Sequence, residues 1–205
     1  MNTPLLRRYV LLIALGAGTL HAVTRYVSPM GGNVAPYTDW AGAATTIEAA
    51  VKAAAAGDTI IVSNGVYTPA AGIVLSNAAI TIQSLNGSDT AIVNGGGSFT
   101  PFNVKDGSAL IGLMISNGVA VGDSVGGGVN LENGRLENCV IVYCGAQFGG
   151  GVFVGQRGIV RNCRIHGNFA THAGGGALIV GNGMIADSLL FENMVSDTGP
   201  LDELY

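Results

Sequence analysis

A chain of 205 residues with 48% apolar side chains and a mean hydropathy of +0.45 can bury a core. Only 11% of its residues are charged, which excludes the charge-rich, apolar-poor composition of disordered chains. A net charge of −4 offers no cationic footprint for nucleic acid, and 33 Gly without a three-residue period, beside only 6 Pro, exclude collagen.

The first 22 residues read as an export leader. Arg7 and Arg8 form a basic start, Tyr9 to Leu20 is apolar apart from two Gly and Thr19, and Ala22 is a small residue at the cut. Leu20, three residues before the cut, is larger than usual there. The run is shorter than the roughly 20 residues a membrane span needs, so an anchor is the weaker reading. The expected location is therefore extracellular or at the surface of a bacterial cell. Loss of Arg7 and Arg8 with the leader moves the formal charge from −4 to −6. An oxidising destination permits disulfides, but Cys139, Cys144 and Cys163 are odd in number, so one thiol stays free or pairs elsewhere.

One helix is predicted, over residues 46–56. Thr45 stands as N-cap with Glu48 at N3, a capping box, and Ile47, Ala50, Val51 and Ala54 keep helical spacing. Gly57 is the expected stop. Strands follow at Thr59–Val62, Ile73–Leu75, Ile80–Ile82, Ala91–Val93 and Phe102–Val104, each bounded by Gly, Asn, Ser or Asp.

The later sequence repeats. Gly triplets at 126–128, 149–151 and 174–176 each precede an apolar run. Between them lie Leu136-Glu137-Asn138-Cys139-Val140-Ile141, Val160-Arg161-Asn162-Cys163-Arg164-Ile165 and Ile185-Ala186-Asp187-Ser188-Leu189-Leu190. Leu110 to Ile115 is a degenerate earlier copy, and the copies are spaced by 26, 24 and 25 residues. Cys144, Asn168 and Asn193 stand five residues after the Cys/Ser position. A β-type period of about 24 fits one turn of a parallel β-helix, with coils stacked about 4.8 Å apart. A leucine-rich repeat fails for want of its LxxLxLxxN string.

Stacking turns equivalent residues into ladders. Leu110/Leu136/Val160/Ile185 and Ile115/Ile141/Ile165/Leu190 are predicted to face inward. Asn138, Asn162 and Asp187 suit a corner column of coil-to-coil hydrogen bonds, followed by Cys139, Cys163 and Ser188. The preferred reading of Cys139 and Cys163 is two stacked, buried thiols, because in-register side chains point in parallel and strain a bridge; a disulfide is the alternative. Helix 46–56 covers the open end of the first coil.

Arg25-Tyr26-Val27-Ser28, Pro36 to Ala41, Ala44 to Val51 and Gly57 to Tyr67 resemble the N-terminal block of large secreted proteins of the pectin-lyase-like superfamily. The Asn-Cys-x-Ile and Gly-Gly-Gly coils are similar to the body of those proteins and, less closely, to the repeats of polymorphic outer-membrane proteins. The resemblance covers about residues 25–193 and implies an all-β, right-handed parallel β-helix. The expected organisation is a leader over 1–22, a capping segment over 23–57, a β-helix over 58–198 and a tail over 199–205, read as a truncation point.

Enzymes of that superfamily carry clustered acids, with an Arg or Lys base and calcium in the lyases. Here Asp123, Glu132, Glu137, Asp187 and Glu192 form no pair along a strand, so no catalytic residue is assigned. Arg157, Arg161, Arg164 and His166 cluster in one coil, either as a small patch for acidic glycan or as a solvated face. His166 and His172 have no acid or Cys at ligand spacing, so no metal is expected. The Gly triplets lack the GK[ST] of a phosphate loop.

The first functional expectation is a non-enzymatic, structural or adhesive surface segment that contacts glycans. The alternatives are a polysaccharide lyase or hydrolase, with calcium as cofactor only for the lyase, and a remnant of a longer surface protein. The expected partners are polysaccharide or cell-surface glycan, without nucleic acid, and end-to-end association through the last coil.

Overall fold

The structure, a computed structural model, describes residues 21–76, 79–122 and 124–196. The predicted leader up to residue 20, Asp123 and the predicted tail over 199–205 lie outside the described residues.

The fold is an all-β parallel β-helix. Among the described residues three sheets, of seven, six and five strands, run along it, and every strand pair is parallel. Each coil visits the seven-stranded sheet, then the six-stranded, then the five-stranded. One complete coil is Arg135–Glu137, Val140–Val142 and Val152–Gly155. From this coil onward a short strand such as Gly145–Phe148 adds a three-stranded sheet between the last two faces. Among the described residues five coils are complete, and Met184–Ala186, Leu189–Phe191 and Met194–Val195 begin a sixth.

Alternation along each short strand sends every second side chain inward, and register stacks like on like. Ile60, Ile82, Leu110, Leu136 and Val160 form one fully buried row. Val93, Ile115, Ile141 and Ile165 form the second. A third row, which the repeat pattern did not yield, is Leu75, Val104, Leu131 and Val154. Each such side chain contributes about 1.5–3 kcal/mol on burial, so these rows are the main source of stability. Leu190 continues the second row in register with buried Ile165, yet it is 46% exposed. It belongs to the last described coil, and no further described coil packs on it.

The helix is shorter than predicted, Ile47–Ala53 rather than 46–56. Its N-cap is Thr46, not Thr45: Thr46 Oγ1 accepts from the Ala49 amide at 3.2 Å. The capping box does not close, because Glu48 Oε1 accepts from the Ala70 amide at 3.1 Å. Nor does the helix reach Gly57, since Ala54 is extended (ψ 145°) and the Asp58 carboxylate draws off the Ala55 amide at 2.9 Å. Ile47 and Ala50 are buried in the same core as Val27 and Ile60, so the helix closes the first end of the solenoid.

Two corner columns hold the coils in register. At the first, Asn138, Asn162 and Asp187 adopt φ of 55°, 51° and 51°, a conformation Asn and Asp tolerate better than most residues. Asn162 Nδ2 donates to Asn138 Oδ1 at 2.6 Å. The second column is internal: Cys144, Asn168 and Asn193. Asn168 accepts from the Cys144 amide at 2.9 Å and donates to Ile141 O at 3.0 Å, and Asn193 serves the Asn168 amide and Ile165 O in the same way. In the preceding coil the Cys144 sulfur takes the place of an amide oxygen and accepts from Gly118 N at 3.4 Å.

Asn168→Ala is therefore expected to cost about 3 kcal/mol, because it strands a buried amide and a buried carbonyl. Asn168→Cys, which copies the neighbouring coil, should lose less. Urea midpoints at unchanged slope test the order, and equal loss in both variants would refute the acceptor role.

Candidate functional site

The basic residues singled out in the sequence do not share one surface. Arg157 lies in the turn after Val152–Gly155 and, with Asn133, Gln156, Gly181 and Asn182, lines a shallow cleft of about 360 Å³. Arg161 ends a strand of the seven-stranded sheet, while Arg164 and His166 flank buried Ile165 on the six-stranded sheet. Neither Arg161 nor Arg164 stands alone. Glu137 is the register partner of Arg161, and Arg164 Nη2 meets Asp89 Oδ1 at 3.2 Å. That surface pair contributes little stability, but it offsets local positive charge. His166 stacks on Phe191 with centroids 4.7 Å apart and meets Tyr143 edge-on.

The carboxylates are dispersed in the same manner. Glu132 pairs with Lys105 at 3.2 Å and Glu137 with Arg135 at 3.7 Å, while Asp187 and Glu192 occupy positive-φ corners. Among the described residues no group of three His, Cys, Asp or Glu converges as a metal site.

The three thiols are free and buried. The adjacent Cys163 sulfur, and after it burial, push the Cys139 thiol well up. Burial pushes Cys144 up to about 12. Cys139 and Cys144 are therefore protonated, unreactive core groups.

A cleft that sequence reasoning missed lies on the five-stranded sheet. The outward row there is Val74, Asn103, Asn130, Phe153 and Leu178, paired in register. Two Asn thus interrupt an otherwise apolar line. Asn103 and Asn130 of this row make the floor, and Ser98, Phe99 and Thr100 on one side with Val121, Ser124 and Val125 on the other make the walls, of a cleft of about 470 Å³. Thr100 Oγ1 ties one wall to the coil below through Gly126 O at 2.9 Å. Gly72 is required at the rim, where a Cβ would press on Thr100 O at 2.6 Å.

Asn130 Nδ2 donates to Asn103 Oδ1 at 3.4 Å. Asn130 Oδ1 is buried and, among the described residues, lacks a partner. An orphaned acceptor costs about 1–3 kcal/mol unless a ligand or water supplies a donor. The other polar linings are Ser98, Thr100 and Ser124, with Phe99 as the aromatic surface. No described lining residue is ionisable. The cleft can hydrogen-bond a neutral, hydroxyl-bearing ligand but holds no described acid or base for proton transfer. A signal was present in the strings Phe102-Asn103-Val104 and Val129-Asn130-Leu131, where alternation turns each Asn outward.

No family model matches the chain, and no curated protein matches it. Among solved structures, a pectin methylesterase variant in complex with a hexasaccharide is similar, at 14% identity and a TM-score of 0.49 over 86% of this chain and 68% of that one. The fold described above stands on this chain's own strand pairing, and no activity passes across at that likeness.

Proposed function

We propose that this chain is a non-enzymatic, exported β-helix segment, structural or adhesive, which contacts glycans through the cleft on its five-stranded sheet. It is the kind of solenoid that the resemblance to the pectin-lyase-like superfamily implies. The observation that carries the reading is the cleft's lining: an unpartnered amide oxygen, three hydroxyls and a phenyl ring, without a described charge. Uncharged polar groups beside an aromatic face suit neutral saccharides, whose hydroxyls pair with amides while their C–H faces lie on a ring. The dispersal of the described carboxylates, two in ion pairs and two at separate corners, supports a binding role over cleavage.

The test is retention of residues 23–205 on immobilised neutral and acidic polysaccharides, with unsaturated products and reducing ends followed alongside. Retention on a neutral glycan, lost at least tenfold in Asn130→Leu with the melting temperature unchanged, is the expected result. Calcium-dependent release of unsaturated products would overturn the proposal in favour of a lyase. Absence of retention on every glycan would leave the segment as a spacer and refute the contact role.

A further inference from the structure

Two observations made separately meet at Val23. The leader motif places its cut between Ala22 and Val23. In the fold, the Val23 nitrogen donates to Asp58 Oδ1 at 2.7 Å. Asp58 is wholly buried, yet its second oxygen is crowded: Oδ2 takes Arg25 Nε at 2.9 Å, Arg25 Nη2 at 2.9 Å and the Ala55 amide at 2.9 Å. Oδ1 has the Val23 nitrogen alone among its described partners. Arg25 is itself anchored by Pro36 O at 2.7 Å.

We infer that leader removal completes this site: the new α-ammonium of Val23 forms an ion pair with Asp58, clamping the first strand to the turn that ends the capping helix. The inference rests on the export reading proposed above. Hydrolysis of the Ala22–Val23 bond by a leader-removing endopeptidase consumes one water. The hydroxyl goes to the Ala22 carbonyl carbon and a proton to the Val23 nitrogen. At neutral pH the carboxyl releases its proton and the amine takes one up. A neutral amide donor thus becomes a cation at a distance typical of charge-assisted bonds.

The surroundings suit the change. Val23 is 38% exposed, so the ammonium protons not used by Asp58 can reach water. Its carbonyl already accepts from the Thr59 amide at 3.0 Å, which fixes the residue in place. The other charged groups on the packed segments are engaged elsewhere or face solvent. Asp39 holds the Gly42 amide, Glu48 holds the Ala70 amide, and Lys52 is exposed on the helix. Among the described residues Arg25 is the one other cation on Asp58, and it approaches the opposite oxygen.

Three chains test the clamp: one beginning at Val23, one retaining Ala22, and one beginning at Nα-acetylated Val23. At pH 6.5 the first is expected to melt about 3 °C above the other two. Asp58 favours the protonated amine, so the amine of Val23 holds its proton to higher pH in the folded chain than in the unfolded one. The advantage is full below about pH 7.7 and disappears as pH rises through the higher folded value. Asp58→Asn should abolish the gap between the chains.

Equal melting of all three chains would overturn the clamp. The processing site is tested separately, by the intact mass of the full 205-residue chain after expression in an exporting bacterium. A first residue other than Val23 would overturn the cut. A chain that keeps its leader would overturn the export reading itself, whatever the melting comparison shows.

Discussion

Replacing Asp58 with alanine is expected to cost about 3–5 kcal/mol, because it leaves the buried Arg25 guanidinium without its counter-charge. The side chains of Arg25 and Asp58 are 9% and 1% exposed, so water cannot compensate. The amides of Val23 and Ala55 lose their acceptor in the same step. The damage concentrates where the capping helix meets the first coil, and the end of the solenoid should open first. The double variant Arg25→Met, Asp58→Leu should recover much of the loss, since removing both charges avoids stranding one. Urea unfolding of the single and double variants measures this. A single-variant loss below about 1 kcal/mol would show that the pair is no more than a surface bridge.

The same site predicts an acid dependence. Burial works to raise the Asp58 pKa, but the Ala55 and Val23 amides and then Arg25 outweigh it and hold the value below 3.8. A carboxyl depressed by folding gives stability that is fully present above its unfolded pKa of about 3.9 and is lost as pH falls through the folded value. The wild-type chain should therefore lose this contribution below about pH 4, and the Asp58→Ala variant should show no corresponding step. Thermal melts from pH 2 to 7 decide the point.

Gly150→Ala is the second large effect. Gly150 is the middle residue of a triplet, where successive coils pass with backbone against backbone. A Cβ there would overlap Phe169 O and Gly175 O. The same relation links Gly127 to Gly150 O and Gly175 to Met194 O, so the requirement repeats from coil to coil. Neither obstruction is a flexible side-chain end. The Gly151 amide donates to Gly175 O at 3.2 Å, and Phe169 lies in a strand paired on both sides. Relief requires moving one coil away from the next, at about 3 kcal/mol or more. Gly145→Ala is the control, because its Cβ would meet nothing nearer than Phe169 O at 3.8 Å. It should be neutral or stabilising by about 0.5 kcal/mol through the unfolded chain. Similar melting temperatures for Gly150→Ala and Gly145→Ala would refute close coil contact as the reason for the triplets.

Much of the fold was legible because a solenoid writes its register into the chain. A repeat of 24 to 26 residues is enough to put Leu136 over Leu110 and Ile165 over Ile141. The row Leu75, Val104, Leu131, Val154 was harder to see, because its first two strands lie outside the Gly-triplet repeats. The helix boundaries were misread for a different reason. Thr45 and Glu48 have the spacing of a capping box, but Glu48 finds the Ala70 amide across the end of the coil, a competitor that local sequence does not reveal.

The architecture is written locally along the chain: strand-forming residues at a constant phase, Asn at the tight corners and Gly where coils approach closely. Those are local demands of the backbone, renewed every coil, so composition and spacing record them. Tertiary structure alone decided the sites. The cleft depends on Asn103 and Asn130, 27 residues apart, becoming neighbours on the outer face. The cap depends on the Val23 nitrogen reaching a carboxylate 35 residues away. The basic residues, close in sequence, were separated because a corner turns Arg161 and Arg164 onto different sheets. Hydrogen bonds and charge pairs act over a few ångströms of space, and only coil stacking sets which distant residues come within that range.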